Sequence, residues 1–126
     1  MAEGVARGER VLLVARDDAG CISGSVQLLL NLPDNQPHRA DVAKLLVRGS
    51  SRRQGVAQRL MQALEQEARA AGRSLLVLDT QTGGSAERLY QREGWQRVGV
   101  VPDYALMPDG GPCDTTIFYK RIALPD

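Results

Sequence analysis

LLVRGSSRRQGVAQRLMQAL, residues 45–64, decides how this chain is read: an apolar strand end runs into a basic, glycine-containing turn and then into an amphipathic helix. From Gly55 onward, Val56, Ala57, Leu60, Met61, Leu64, Ala68 and Ala71 recur at helical spacing. Gln58, Arg59, Gln62, Glu65, Gln66 and Arg69 are expected on the opposite, solvated face. Gly72 supplies the stop. A helix N-terminus presents unpaired backbone N–H groups and the positive end of the helix dipole, which suits a phosphate. Gly55 permits close approach of the backbone, Arg52 and Arg53 add positive charge, and Ser50 and Ser51 add hydroxyl donors. An ordinary helix start with solvated arginines fits the same residues, so this stretch alone leaves both readings open.

Before this segment, VLLVAR (residues 11–16), the turn Asp17-Asp18-Ala19-Gly20 and CISGSVQLLLNL (residues 21–32) form a hydrophobic–turn–hydrophobic pattern, the mark of a β-hairpin. Residues 33–37, with two prolines, read as a loop, and ADVAKLLV (residues 40–47) reads as a strand on its length and boundaries. After the helix, SLLVLD (residues 74–79) is a covered strand, and a short helix starts near Ser85 as N-cap and stops at Gly94. Residues 95–101 and 115–122 read as two further strands. The Pro/Gly/Asp-rich stretch between them, residues 102–114, is expected to be a long loop suited to substrate recognition. The order β-β-β-α-β-α-β-β predicts a single α/β (α+β) domain over residues 1–126, a mixed, mostly antiparallel sheet with helices on its faces.

Composition narrows the function classes. Sixteen basic residues (Lys and Arg) against fifteen acidic ones give a net charge of +1, and aromatic residues are 4% of the chain. No basic groove or stacking surface for nucleic acid is indicated, and no apolar run approaches the ~20 residues of a membrane helix. The opening MAEGVARGER has no continuous apolar core, so a cytoplasmic protein is expected. Cys21, Cys113 and the lone His38 have no metal-ligand spacing, so neither a metal nor a disulfide framework is indicated.

Two segments together resemble a known family. Arg52-Arg53-Gln54-Gly55-Val56-Ala57 is similar to the Q/R-x-x-G-x-G/A pyrophosphate loop of the GNAT superfamily of acetyl-CoA-dependent N-acetyltransferases. Residues 86–95, AERLYQREGW, resemble its A-x-x-L-Y-x-x-x-G-F segment, at the family's usual separation. The stretches RADVAKLLV, LLVLDTQTG and PDYALMPDG look more narrowly like the tabtoxin-resistance type, which acetylates a small amino-acid-like compound. The resemblance implies acetyl-CoA as cofactor and a small-molecule primary amine as acceptor. A protein-lysine or aminoacyl-tRNA acceptor has no compositional support.

The resemblance also implies roles. Arg52, Arg53, Gln54, Gly55, Val56 and Ala57 grip the pyrophosphate. The backbones of Leu46 and Val47 pair with the pantetheine arm and polarise the thioester carbonyl, their side chains being expected in the core. Asp41 takes the amine proton, with His38 and Asp79 as weaker candidates, and Tyr90 protonates the departing thiolate. Tyr104, Asp103 and Asp114 are candidates for binding the substrate ammonium. Gly83 stands where many members carry Asn, leaving a hydrogen bond to CoA to Gln81, Thr82 or Ser85. No cysteine occupies a motif position, in keeping with direct transfer and no covalent enzyme intermediate. Members usually begin with a strand and two helices ahead of the hairpin, whereas about ten residues precede Val11 here. The hairpin is therefore expected to expose a bare strand edge and to favour a homodimer. The same shortness supports a rival reading, a non-catalytic acyl-CoA-binding module.

Overall fold

The computed structural model describes residues 2–6, 10–49 and 55–124. The chain falls into two compact units, residues 1–76 with 121–126, and residues 77–120. The elements, in order, are β1 (Ala2–Ala6), β2 (Arg10–Arg16), β3 (Ile22–Leu29), β4 (Arg39–Val47), α1 (Val56–Ala70), β5 (Leu75–Gln81), α2 (Ser85–Arg92), β6 (Gln96–Leu106) and β7 (Pro112–Arg121). This is the mixed, mostly antiparallel α+β fold expected from the sequence: β1 with β2, β2 with β3, β3 with β4, and β6 with β7 all pair antiparallel.

In the first unit the strand order is β1-β2-β3-β4. Alternation puts Val11, Leu13 and Ala15 of β2, Val26 and Leu28 of β3, and Ala40 and Val42 of β4 on one buried face. Helix α1 covers that face with Val56, Leu60, Met61, Leu64 and Ala68. The β2–β3 turn is closed by the Asp17 carboxylate, which accepts from the N–H groups of Ala19 and Cys21 at 3.0 and 2.9 Å. Gly72, with φ of 74°, ends α1 as expected: its N–H donates to the Arg69 carbonyl and the Arg73 N–H donates to the Ala68 carbonyl.

Two expectations for this unit are corrected. The edge of β2 is not bare, because Ala2–Ala6 pairs along it from Ala2 opposite Ala15 to Ala6 opposite Val11; the ground given for a homodimer goes with it. The segment AEGVA lacks the β-branched density that marks a strand from sequence, and the pairing supplies what local propensity does not. Glu65 does not lie on the solvated face of α1 but is buried, its carboxylate 3.7 Å from the Arg69 guanidinium one turn on.

In the second unit the strand order is β5-β7-β6, and Leu78, Leu89, Tyr90, Trp95 and Phe118 are buried. Here too an expectation gives way. The stretch 102–114 is not a long loop but a continuation of the β6–β7 hairpin, reduced to a turn at residues 107–111 where the Met107 N–H donates to the Gly111 carbonyl at 2.7 Å. The ladder stays in step by a bulge: Val101 faces Thr115 and Ala105 faces Cys113, with Asp103 at φ 53° inside the extra length. The N-cap of α2 is Gly84, not Ser85, which is the first helical residue and makes no capping hydrogen bond. Glu87 serves that helix end instead, accepting from the Gly83 N–H at 2.5 Å with its charge beside the positive end of the helix dipole.

Candidate functional site

In the first unit, the candidate site residues stand out by their main chain. Strand β4 carries an extra residue: Ala43 stands opposite Gln27, but Leu46, three residues later, stands opposite Ser25 only two residues away. The bulge falls at Lys44, whose φ of 58° is left-handed and strained for a residue with a β-carbon. It turns Leu46 onto the face shared with Ala43, away from α1. The Leu46 side chain is therefore 65% exposed, not in the core as expected, and Val47 is half-buried. The groups expected to act in these two residues are backbone groups, and they stand just past the bulge.

Beyond β4 the chain returns as α1. Gly55 occupies the N-cap position at φ 75° and ψ 11°, and it makes no side-chain capping hydrogen bond. No acidic residue lies in the first turn, so no carboxylate competes there for the N–H groups of Val56 and Ala57. A β-carbon at Gly55 would meet the Arg59 guanidinium at 3.4 Å and would also carry the strain of positive φ. Arg52, Arg53 and Gln54 lie outside the described residues.

Asp41 lies on the β4 face opposite the one α1 covers, between the buried Ala40 and Val42. Its carboxylate is engaged by the Arg39 guanidinium, whose Nε donates in turn to Gln36 Oε1 at 2.5 Å. His38 is exposed in the preceding turn, and its carbonyl accepts from the N–H groups of Ser74 and Leu75 at 2.9 and 3.1 Å.

The second unit gathers side chains. Tyr90, on the buried face of α2, is 4% exposed and packs between Trp95 and Phe118, with ring centroids 5.8 and 5.6 Å away. The Trp95 contact is the hydrophobic clasp of a helix C-cap: Gly94 takes φ 88°, and the Trp95 N–H donates to the Tyr90 carbonyl at 2.9 Å. The L-Y-x-x-x-G-W pattern thus has a physical basis, since the glycine turn folds the aromatic residue back over the tyrosine. Burial, and after it the negative charge of Asp79, push the Tyr90 hydroxyl up from about 10 to about 12. At neutral pH it is a protonated donor.

Asp79, near the end of β5, is exposed, and its Oδ2 accepts from the Thr115 hydroxyl at 2.8 Å. The same hydroxyl lies 3.1 Å from the Thr80 carbonyl, and the Thr82 and Thr116 hydroxyls are 2.9 Å apart. Thr115 carries no signal in the sequence, because its partner lies on a strand 36 residues away. Of the residues expected to recognise an ammonium group, Tyr104 and Asp103 are exposed on β6, while the Asp114 carboxylate accepts from the Asp103 N–H at 3.0 Å and stabilises the bulge. Ser85 is exposed at the start of α2. Among the described residues no group of His, Cys, Asp and Glu is arranged to hold a metal, and no helix is long and apolar enough to cross a membrane.

Known proteins share this fold. An uncharacterized N-acetyltransferase of Azospirillum brasilense, from the hisH-hisA intergenic region, is 44% identical over 73 residues. That match spans 56% of this chain and 43% of the relative, less than half its length. A GNAT-family acetyltransferase from Streptococcus pneumoniae superposes with a TM-score of 0.80 at 24% identity, over 90% of this chain and 68% of the other. An aminoglycoside 6'-N-acetyltransferase solved with coenzyme A gives 0.74 at 20% identity, over 94% and 77%. These likenesses show the fold. The family model described as the acetyltransferase (GNAT) family matches residues 3–95, which takes in the β4 bulge, the glycine turn at Gly55 and the Tyr90–Trp95 clasp, and the chain belongs to that family.

Proposed function

We propose that the chain is an acetyl-CoA-dependent N-acetyltransferase that transfers the acetyl group directly to the primary amine of a small, amino-acid-like molecule. The observation that carries this reading is the placement of Tyr90: a protonated phenol at the family's motif position, held between Trp95 and Phe118 by the helix C-cap, is the candidate donor to a departing thiolate. The start of α1, free of acidic residues, is suited to the cofactor's pyrophosphate, with Gly55, Val56 and Ala57 offering backbone N–H groups and Arg52, Arg53 and Gln54 adding to the grip. Leu46 and Val47 would present backbone groups to the pantetheine arm and the thioester, and Ser85 a hydroxyl at the start of α2. When bound, acetyl-CoA supplies the activated acetyl carbon; the protein's part is to hold it, to accept a proton from the amine and to donate one to sulfur.

Two carboxylates are offered for the amine proton. Asp41 occupies the strand on which family members carry an acidic base, and Arg39 holds its carboxylate in one orientation. A second reading gives the step to Asp79, because its charge acts on Tyr90 and base and acid must serve one reacting centre. The near-neutral charge and the sparse aromatic content favour a small acceptor over a nucleic-acid-bound one. Calorimetric titration with acetyl-CoA tests the reading, followed by an amine screen scored by thiol release. Binding with turnover is expected. Binding without turnover on any amine points to the acyl-CoA-binding module, and no binding by folded protein overturns both.

A further inference from the structure

Gly24 of β3 is buried at ordinary negative φ, so its identity is not explained by backbone conformation. Space explains it. A β-carbon there would lie 3.0 Å from the Leu46 carbonyl oxygen, 3.0 Å from Val56 Cγ1 and 3.1 Å from Leu60 Cδ1. Three contacts from two elements converge on one missing methyl group: the strand segment just past the β4 bulge, and the first turn and a half of α1. The surroundings cannot easily yield. Gly24 is paired to Ala15 on one side and Val47 on the other, and the Arg48 N–H donates to the Ser23 carbonyl at 2.8 Å. One of the three contacts is main chain, which moves only if β4 itself moves.

We propose that Gly24 is a positioning residue for acetyl-CoA: the absent side chain sets the distance between the start of α1 and the Leu46 backbone. The inference rests on the functional reading above, which gives pyrophosphate to the first of these and the thioester arm to the second. Both partners act through main chain, so what matters to the ligand is where their backbones are held. A displacement of a few tenths of an ångström at Gly24 therefore acts directly on ligand geometry.

The test is calorimetric titration with acetyl-CoA of wild type, Gly24→Ala, Leu64→Ala, Val56→Ala and the Gly24→Ala/Val56→Ala double variant, with melting temperatures for each. Gly24→Ala is expected to raise Kd by about tenfold. Leu64→Ala empties core space in the middle of the same helix and is expected to melt lower than Gly24→Ala with Kd unchanged. Removing Val56 Cγ1 relieves one of the tight contacts, so the double variant is expected to bind more tightly than Gly24→Ala while melting at a lower temperature. Opposite movements of affinity and stability are something a merely structural glycine does not produce. Should Gly24→Ala fail to fold, Val56→Ile adds one methyl group from the helix side of the same contact and is expected to weaken binding in milder form. Wild-type affinity in folded Gly24→Ala, or a Kd that simply follows melting temperature across the set, overturns the inference alone. Failure of wild type to bind acetyl-CoA overturns the functional reading and this inference with it.

Discussion

On the proposed reading, the two units carry function in different materials. In the first, the groups proposed to meet the ligand are main chain: a bulged strand, a left-handed glycine at the head of a helix, and a glycine with no room for a methyl group beside both. In the second it is side chain: a buried phenol, a carboxylate and the threonine hydroxyl that fixes it. Main-chain groups are present whatever the residue, so the first unit is sensitive mainly to changes that move backbone. Side-chain groups are specific atoms, so the second unit is sensitive to the loss of a single oxygen. The contrast predicts that cofactor affinity and chemical rate respond to different substitutions.

Gly55→Glu should break the first half most severely. It combines positive-φ strain with a negative charge at the helix start, and acetyl-CoA affinity is expected to fall by about a hundredfold or more while circular dichroism remains that of the wild type. Tyr90→Phe is the matching blow to the second half. With any amine that releases free thiol, kcat should fall by about a hundredfold with the Kd for acetyl-CoA unchanged. An equal fall in affinity would erase the proposed division between the two units.

Alkaline unfolding sharpens the same point without ligand. The Tyr90 pKa is raised on folding, so the folded state holds its proton where the unfolded chain has released it. The associated stability is whole below pH 10 and is lost as pH rises towards 12. The loss should amount to about 2–3 kcal/mol in urea titrations, and Tyr90→Phe should abolish that component. The smallest effect separates the two carboxylates. Asp79→Asn is expected to lower kcat by about tenfold and to bring the Tyr90 titration down, whereas Asp41→Asn leaves that titration in place. If Asp41→Asn causes the greater loss of kcat, Asp41 takes the amine proton and the second reading falls.

Legibility from sequence followed the same division between local and distant causes. Gly72 and Gly94 announced the ends of the helices because a C-cap is chemistry within a few residues. The hairpin turn at Asp17 was equally local, as was the L-Y-x-x-x-G-W clasp. The bulge at Lys44 was not legible: nothing in Ala43-Lys44-Leu45-Leu46 requires positive φ, and the extra residue exists only relative to β3. Glu65 stands four residues after Met61 and three before Ala68, on the buried stripe of α1; its charge, not its position in the helical period, is what suggests solvent. Pro102, Gly110 and Gly111 suggested a loop, whereas pairing with β7 carries β6 on to Leu106 through a bulge that a prolyl residue tolerates. The Thr115–Asp79 hydrogen bond joins two strands that only the fold makes neighbours.

The clasp over Tyr90 has one more consequence. Trp95 is the sole tryptophan of the chain, its indole N–H is buried without a hydrogen-bond partner among the described residues, and its ring lies 5.8 Å from that of Tyr90. Ionised tyrosine absorbs where tryptophan emits, so the molecule carries its own optical gauge: the brightness of one indole, compared between wild type and Tyr90→Phe, reports the proton on the Tyr90 phenol with no label attached.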